Sequence, residues 1–220
     1  MTEVRIRVNG ESLLPDSSGA LDWPDARTLV FADLHFEKGS AFARSGQLLP
    51  PYDTRATLAR IQSAIARYAP ARVVALGDSF HDRGAWQRLD DGERALLQRL
   101  VCEVEWIWIA GNHDPAPPEL SGATITEELV LRGLVFRHEP AAVPAAGEIA
   151  GHLHPCKTIV RRGRSLRRRC FVSDGMRLVM PAFGAYAGGL DVREAAVRAL
   201  FGSGFLAYIL GTRRVFAVAG

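Results

Sequence analysis

Three short, continuously apolar runs stand out in the first half of the chain. They cover residues 28–32, 73–76 and 106–110, and uninterrupted apolar character is typical of strands covered on both faces of a sheet. Between the first two runs, apolar residues recur at helical spacing at Leu58, Ile61, Ile65 and Tyr68. A second helix is predicted before the third run by Leu96, Leu97, Leu100 and Val101. This strand, helix, strand, helix, strand order predicts a parallel α/β unit.

The pattern also predicts how these elements are connected. Residues 4–8 alternate between apolar and polar and predict an opening strand, and Asn9-Gly10 predicts a hairpin turn into a second strand. Residues 36–52 carry two glycines and two prolines, so we expect a long loop there. The first helix should begin at Asp53, which is a suitable capping residue.

The second half of the chain changes character, because its apolar runs are short and separated by turn residues. Seven strands are predicted, at 124–126, 129–131, 134–136, 148–150, 158–160, 170–172 and 178–180. A helix near 192–200 and two closing strands at 205–210 and 215–218 complete the chain. We expect an α/β fold of two stacked, mixed β-sheets flanked by helices, in a single domain spanning residues 1–220.

Composition favours an ordinary globular protein, with 48% apolar and 23% charged residues. No apolar run approaches the roughly 20 residues of a membrane helix, and residues 1–5 lack the basic and apolar regions of an export signal. The three cysteines have no paired spacing and favour reduced thiols. We therefore expect a cytoplasmic protein with no membrane association.

The chemistry-bearing motifs fall directly after predicted strands. Carboxylate, amide and imidazole groups recur in short motifs that contain Asp33 and His35, Asp78, Asn112 with His113 and Asp114, His138, and His152 with His154. Oxygen and imidazole ligands suit divalent Mn, Fe, Co, Ni or Zn, and no thiolate is placed to compete. If the segments are extended, Asp33 and His35 leave the same face of the chain, as do His152 and His154. The set is large enough for two metals if one carboxylate bridges them.

Taken in order, these motifs resemble those of the calcineurin-like binuclear metallophosphoesterase superfamily. Four longer stretches, at 32–40, 49–55, 151–155 and 181–186, resemble the bacterial DNA ligase-associated metallophosphoesterases, which are described as DNA damage response endonucleases. The resemblance implies manganese as the working metal, with Fe, Co, Ni and Zn also compatible with the ligands. It also implies neighbours in DNA repair, namely a ligase, a helicase and an exonuclease.

The resemblance further implies a role for each site residue. One metal would be held by Asp33, His35, His154 and a bridging Asp78. The other would be held by Asp78, Asn112, His138 and His152. A hydroxide held between the metals would attack phosphorus, His113 would protonate the leaving oxygen, and Asp114 would orient the His113 ring. His81 resembles a histidine that contacts substrate phosphate in related nucleases, although a supporting or surface role fits it equally well.

Basic residues supply the only sequence signal for the substrate. Six arginines fall within nine residues: Arg161, Arg162, Arg164, Arg167, Arg168 and Arg169. They form either a solvated basic hairpin or a surface for backbone phosphates, of which strand alternation would expose only a part. Arg44 is a weaker candidate of the same kind. Phe42 and Tyr186 could stack on a base, but core packing is the simpler interpretation of both.

The leading hypothesis is a metal-dependent phosphodiesterase that cuts DNA, either single-stranded or flexible DNA. The alternative is a small-molecule phosphodiesterase or a phosphomonoesterase, because the motifs specify the metals and not the substrate. A non-catalytic interaction scaffold is a remote alternative, since no ligand position departs from the pattern. The oligomeric state is open, with a homodimer as one option.

Overall fold

The computed structural model describes residues 4–114, 116, 118, 120–202 and 204–220, without the side chain of Arg161. Seven strands form the first sheet in chain order: β1 (Ile6–Val8), β2 (Glu11–Pro15), β3 (Leu21–Trp23), β4 (Thr28–Ala32), β5 (Arg72–Leu76), β6 (Glu105–Ile109) and β7 (Ala123–Thr126). Strands β4, β5 and β6 are parallel, as predicted, and β1 to β4 are antiparallel. Strand β7, which the sequence pattern grouped with the second half, instead adds to this sheet parallel to β6. The predicted hairpin turn is present, with Asn9 and Gly10 at φ 49° and 86°.

Helices pack on one face of this sheet. They are α1 (Lys38–Arg44), α2 (Asp53–Tyr68), α3 (Ala85–Arg88) and α4 (Asp91–Glu103). The interpretation of residues 36–52 as a long loop was wrong, because α1 occupies part of that segment. Helix α2 begins at Asp53, but the prediction that Asp53 caps it was wrong, because the N-cap residue is Tyr52 and the Asp53 carboxylate accepts the backbone N–H of Gly39 instead. Helix α4 is capped by Asp90, which accepts a hydrogen bond from the backbone N–H of Glu93. Both long helices bury their apolar sides against the sheet, where Trp106 and Trp108 lie fully buried.

The second sheet contains the short strands of the second half. They are β8 (Glu128–Leu131), β9 (Leu134–Arg137), β10 (Glu148–Ala150), β11 (Cys156–Arg161), β12 (Arg164–Ser173), β13 (Arg177–Val179), β14 (Leu206–Leu210) and β15 (Val215–Ala219). The order is β15-β14-β12-β13-β10-β9-β8, and β11 pairs with β12 as a hairpin. The predicted closing helix is only one turn long, α5 (Ala195–Arg198).

The two sheets stack on a shared apolar core. Trp23 of the first sheet and Phe136 of the second are both buried there, with ring centroids 6.1 Å apart. Burial of apolar surface between two sheets and beneath the helices is the main stabilising term of this architecture. The predicted fold class, two stacked mixed sheets flanked by helices, is confirmed. Within the described ranges, every helix is too short or too polar to cross a bilayer.

Sheet register fixes where the site forms. Ala32 pairs with Leu76, and Leu76 pairs with Ile109, so three parallel strands end at the same level. In the second sheet Arg137 and Ala150 are paired partners at the ends of β9 and β10. The segments that follow these five strands therefore leave the two sheets side by side, as ligand-binding segments do at the carboxyl ends of strands in open α/β sheets.

Candidate metal centre

The site lies where these strand ends meet, and its backbone is unusual. Asp33, His35, Asp78, His152 and His154 all have positive φ, between 45° and 68°. Non-glycine residues rarely adopt this conformation, and residues held in it cluster at functional sites. The extended geometry expected for the Asp33 and His152 motifs was therefore wrong. Tight left-handed turns, rather than strand alternation, bring the side chains of each motif together.

One cluster of donor atoms contains Asp33, His35 and His154. The Nε2 atoms of His35 and His154 lie 3.2 Å apart, and His154 Nε2 lies 3.3 Å from Asp33 Oδ1. Asp33 and His35 are buried. Burial, together with the charges of His154 and Lys38, lowers the pKa of His35 to about 2, so the ring is neutral and has a lone pair for a cation.

A second cluster contains Asp78, His138 and His152, and Asn112 lies against it. The Oδ1 atom of Asn112 lies 2.8 Å from His138 Nε2 and 3.0 Å from His152 Nδ1. Asp78 Oδ2 lies 3.4 Å from His138 Nε2. Burial disfavours the charged form of His138, but Asp78 and Asp33 outweigh it and raise the pKa of His138 to about 9.

The acceptor atoms of the second cluster are arranged to bind a metal ion rather than to hydrogen-bond to one another. His138 Nδ1 lies 3.1 Å from the Leu76 carbonyl oxygen, to which it donates, so Nε2 of the neutral ring carries the lone pair. That lone pair, the Asn112 Oδ1 atom and the Asp78 carboxylate converge as acceptors, an arrangement that requires a proton or a cation among them. A metal bound here would displace the proton that Asp78 and Asp33 otherwise favour on His138. The donor types suit first-row divalent ions.

Asp78 is placed between the two clusters. Its Oδ1 atom accepts a hydrogen bond of 2.8 Å from the backbone N–H of His113, while its carbonyl oxygen accepts one from the backbone N–H of His35. Asp33 is also held from the other side, because the backbone N–H of His152 donates to its carboxylate at 3.0 Å. The two clusters thus share one hydrogen-bonded frame, in which Asp78 is the expected bridging ligand.

Two glycines permit this close packing. A Cβ atom at Gly111 would lie 2.2 Å from the backbone N of Asp78 and 2.4 Å from Asp78 Oδ1. A Cβ atom at Gly77 would lie 2.5 Å from the His138 ring, and Gly77 has a φ of 64°. No side chain can occupy either position without displacing an expected ligand. This explains why Asp78 and Asn112 both directly follow glycine.

The candidate acid, His113, lies at the edge of the clusters. Its Nε2 atom is 4.0 Å from Asp78 Oδ2, and its Nδ1 atom is 3.0 Å from the carbonyl oxygen of His81. The rings of His81 and His113 stack with centroids 5.3 Å apart. Burial, together with the charges of Lys38 and His113, lowers the pKa of His81 to about 4. His81 therefore lies in the site, where it supports His113 through its backbone and its ring.

The expected role of Asp114 needs correction. Its Oδ2 atom accepts hydrogen bonds from the backbone N–H groups of Ser79 and Phe80, at 2.9 and 3.0 Å. The His113 ring is hydrogen-bonded to the His81 carbonyl instead. Burial raises the pKa of Asp114 to about 7. In the described part of the chain, Asp114 braces the segment after Asp78 and not the imidazole.

The arginine run separates into different environments. Arg169 is half-buried and donates to the carbonyl oxygens of Ala182, Phe183, Gly184, Ala185 and Ala187. Arg167 is exposed and donates to the Gly189 carbonyl. Arg162, Arg164 and Arg168 are exposed, whereas the side chain of Arg161 lies outside the described part. Only some of the six are therefore free to meet a substrate.

The remaining candidates lie on the rim. Arg44 is exposed at the end of α1, and Phe42 on the same helix lies 5.9 Å from the His81 ring. Tyr186 donates through its hydroxyl to the Pro50 carbonyl at 2.7 Å, which gives it a structural role. Lys38 was not among the predicted site residues, yet it lies beside the clusters and acts electrostatically on His35 and His81. Its position three residues after His35 was the available signal.

An α/β sandwich that carries two adjacent clusters of carboxylate, amide and imidazole donors defines a two-metal phosphoester hydrolase. Residues 26–168 match the family model for calcineurin-like phosphoesterases. The chain belongs to the calcineurin-like phosphoesterase family. Members use a two-metal centre, and this chain has two clusters that could hold those metals.

The fold is also similar to solved structures. The nuclease MPE from Pseudomonas putida is 28% identical, with a TM-score of 0.76, over 98% of this chain and 100% of that one. The phosphoesterase YfcE from E. coli is 14% identical, with a TM-score of 0.42, over 87% and 98% of the two chains. A Vps29 double mutant from Entamoeba histolytica is 17% identical, with a TM-score of 0.33, over 88% and 97%. No curated protein sequence matches significantly.

Proposed function

We propose that this protein is a metal-dependent phosphodiesterase that cuts DNA, with single-stranded DNA as its preferred substrate. The observation that carries the proposal is the convergence of seven donor residues from separate strand ends into two touching clusters. The similarity of the whole chain to the P. putida nuclease favours a nucleic-acid substrate over other phosphoesters. Manganese is the metal we expect.

Two divalent ions, when bound here, would activate a water molecule and neutralise negative charge on the phosphate. The ions would be held by Asp33, His35, His154 and Asp78 on one side and by Asp78, Asn112, His138 and His152 on the other. Asp78 would be shared between the two sets of ligands, which would hold the two ions near each other. This placement suits an in-line displacement at phosphorus, in which the attacking and leaving oxygens lie on opposite sides.

The leaving oxygen needs a proton, and His113 is placed to supply it. In the protonated ring, Nδ1–H donates to the His81 carbonyl and Nε2–H faces the clusters. The His81 carbonyl therefore fixes which nitrogen is presented to substrate. The two stacked rings limit rotation of the imidazole. His113 is the group that we assign as general acid.

Exposed arginines support a polymeric substrate. The β11–β12 hairpin carries Arg162, Arg164, Arg167 and Arg168 as exposed cations, and Arg44 lies on the rim. Arginine forks recognise phosphate oxygens, and such contacts position a nucleic-acid backbone without reading its sequence. We propose that part of this hairpin contacts phosphates beyond the one that is cleaved.

One preparation assayed on three substrates tests the proposal. A chromogenic phosphodiester, a chromogenic phosphomonoester and circular single-stranded DNA would be compared with added manganese and with a chelator. We expect metal-dependent cleavage of the circular DNA and of the diester. Turnover of the monoester alone would refute the nuclease assignment and favour a phosphomonoesterase with the same centre. An Asn112→Ala variant that retained the activity would identify a contaminant.

The cellular setting follows from the same proposal. We propose a cytoplasmic repair role beside a DNA ligase, a helicase and an exonuclease. The three cysteines are free thiols, with Cys156 and Cys170 buried and Cys102 exposed, which suits a reducing compartment. Co-purification of the tagged protein with these three enzymes, with and without nuclease treatment, would distinguish direct contact from tethering through DNA.

A further inference from the structure

Lys38 is one of only two lysines among 27 basic residues. It is the first residue of α1, and its Nζ atom lies 5.9 Å from the centroid of the Phe42 ring. The Phe42 ring in turn lies 5.9 Å from the His81 ring, and His81 lies 5.4 Å from His35. The ammonium group therefore lies at the end of a row of rings that borders the first donor cluster.

The backbone on both sides of Lys38 is fixed. The backbone N–H of Glu37 donates to Thr54 Oγ1, and the backbone N–H of Gly39 donates to Asp53 Oδ2, both at 2.9 Å. Glu37 has a φ of 65°, and a Cβ atom at Gly39 would lie 2.8 Å from Asp53 Oδ1. The left-handed turn at Glu37 and the absence of a side chain at Gly39 therefore fix the position of Lys38 between them.

Apart from the face of the Phe42 ring, the charge of Lys38 has no close partner in the described part of the chain. In the described ranges, no hydrogen bond or ion pair involves its ammonium group, although the side chain is half-buried. Burial lowers the pKa of Lys38, whereas the carboxylates of Asp33 and Asp78 raise it from a distance. The nearby arginines differ, because Arg88 is paired with Asp82 at 2.8 Å and Arg169 binds backbone carbonyls. A half-buried ammonium group that faces an aromatic ring but has no hydrogen-bond acceptor is costly unless an anionic ligand supplies one.

We propose that Lys38 binds a non-bridging oxygen of the phosphate that is cleaved. The inference rests on the proposed phosphodiesterase function and deepens it. An ammonium group carries three donors on a flexible stem and acts as a point charge, which suits an oxygen whose charge and position change during displacement. The carboxylates of Asp33 and Asp78 would be occupied by metals, and the carboxylate of Asp53, which also acts on Lys38, accepts the backbone N–H of Gly39. A substrate phosphate is then the anion left to pair with the ammonium group.

The test compares Lys38→Gln and Lys38→Arg with Lys157→Gln, which removes the other lysine, hydrogen-bonded to the Ala219 carbonyl. Each manganese-loaded variant would be assayed for KM and kcat on a chromogenic diester and for inhibition by inorganic phosphate, with phosphate affinity also measured by calorimetry. Lys38→Gln should weaken phosphate binding and raise KM by roughly 10- to 100-fold. Lys38→Arg should lie between Lys38→Gln and the wild type, and Lys157→Gln should match the wild type.

Metal content and the unfolding midpoint separate a contact from a structural role. We expect both to be unchanged in Lys38→Gln. Unchanged phosphate affinity in that variant would overturn the proposal, as would a parallel loss of bound metal. A defect seen on single-stranded DNA but not on the small diester would move Lys38 to a neighbouring phosphate and also refute it. Because phosphate binding requires no DNA, a wild type that cuts only monoesters would refute the nuclease function and leave this test intact.

Discussion

The expected metal ligands and the arginines of the β11–β12 hairpin both stand out in the sequence. The fold brings the ligands together, whereas it separates the arginines. The expected metal ligands are dispersed over 122 residues, from Asp33 to His154, yet their donor atoms converge within hydrogen-bonding distance. The six arginines are close in sequence, yet the five whose side chains are described diverge, with Arg169 half-buried and the other four exposed. Strand register brings distant residues together, whereas strand alternation separates neighbours.

The degree of burial also distinguishes the expected metal ligands from the arginines of the hairpin. Asp33, His35, Asp78 and His138 are between 0% and 5% exposed, and buried ionisable groups persist only when they are paired, hydrogen-bonded or bound to a metal. Among the arginines of this run whose side chains are described, Arg169 donates to several internal carbonyl oxygens. Its neighbour Arg168, on the opposite side of β12, lines a cavity with residues of β14 and β15. Clustering in sequence is therefore weaker evidence of a shared role than clustering at strand ends.

The largest effect should come from the metal centre. Asp78→Asn removes the charge of the expected bridging ligand, and we expect hydrolysis to fall by well over about 100-fold, because even partners behind a ligand cost roughly 10- to 100-fold. Metal content measured by mass spectrometry should fall with it. Asp91→Asn is the matched control, because Asp91 on α4 is fully exposed. Full activity in Asp78→Asn would exclude Asp78 as a bridging ligand.

The next effect should be on stability rather than chemistry. Arg169→Met would remove the Arg169 donor from the carbonyl oxygens of Ala182, Gly184, Ala185 and Ala187, whereas the Phe183 carbonyl keeps its hydrogen bond from Arg60. We expect the free energy of unfolding to fall by about 2–4 kcal/mol. Denaturant unfolding measures this change. Arg168→Met, one residue away and exposed, should leave the free energy of unfolding near the wild-type value. Equal effects of the two substitutions would contradict the different roles assigned to them.

The comparison also shows which features of the site and fold could be predicted from the sequence. The strand ends that deliver Asp78 and Asn112 could be predicted, because long apolar runs and following glycines are local signals. The left-handed turns at Asp33 and His35 could not, since they are imposed by hydrogen bonds to Asp78 and His152. Helix α1 was missed because the glycines and prolines of 36–52 obscured it, and distant bonds to Asp53 and Thr54 hold its start.

Two other features could not be predicted from the sequence because they also depend on long-range contacts. Strand β3 has only three residues and no periodic signal, and it exists through its pairing with β2 and β4. Asp114 follows His113 in sequence, which suggested that it orients that ring. Its contacts are instead with the loop after β5, which is 34 and 35 residues away. The position of a residue in the sequence predicts which segment carries its side chain, but not which residues that side chain contacts.

A smaller effect should distinguish the two faces of the hairpin. Arg167 donates to the carbonyl of Gly189, which packs against the backbone of the expected ligand His154, whereas Arg168 lines a cavity with residues of β14 and β15. We expect Arg167→Gln to reduce the salt dependence of single-stranded DNA binding by about 0.7 in slope, the loss of one phosphate contact. Arg168→Gln should change it less, and neither should alter turnover of a small diester. A larger slope change in Arg168→Gln would place the DNA on the other face.

The smallest effect concerns Asp114, for which sequence and structure make different predictions. If Asp114 oriented the His113 ring, Asp114→Asn would reverse the polarity of that contact and lower kcat strongly. In the structure, Asp114 accepts hydrogen bonds from the backbone of Ser79 and Phe80, and an asparagine oxygen can accept the same two bonds.

We therefore expect less than about a threefold change in kcat for Asp114→Asn. The matched comparison is His113→Ala, for which we expect a loss of roughly 100-fold or more, since general acid–base catalysis contributes 10²–10⁴-fold. Steady-state kinetics on the chromogenic diester measure both. A similar loss in the two variants would restore the orienting role, because removal of a charged brace alone acts on stability and not on the proton transferred to the leaving oxygen.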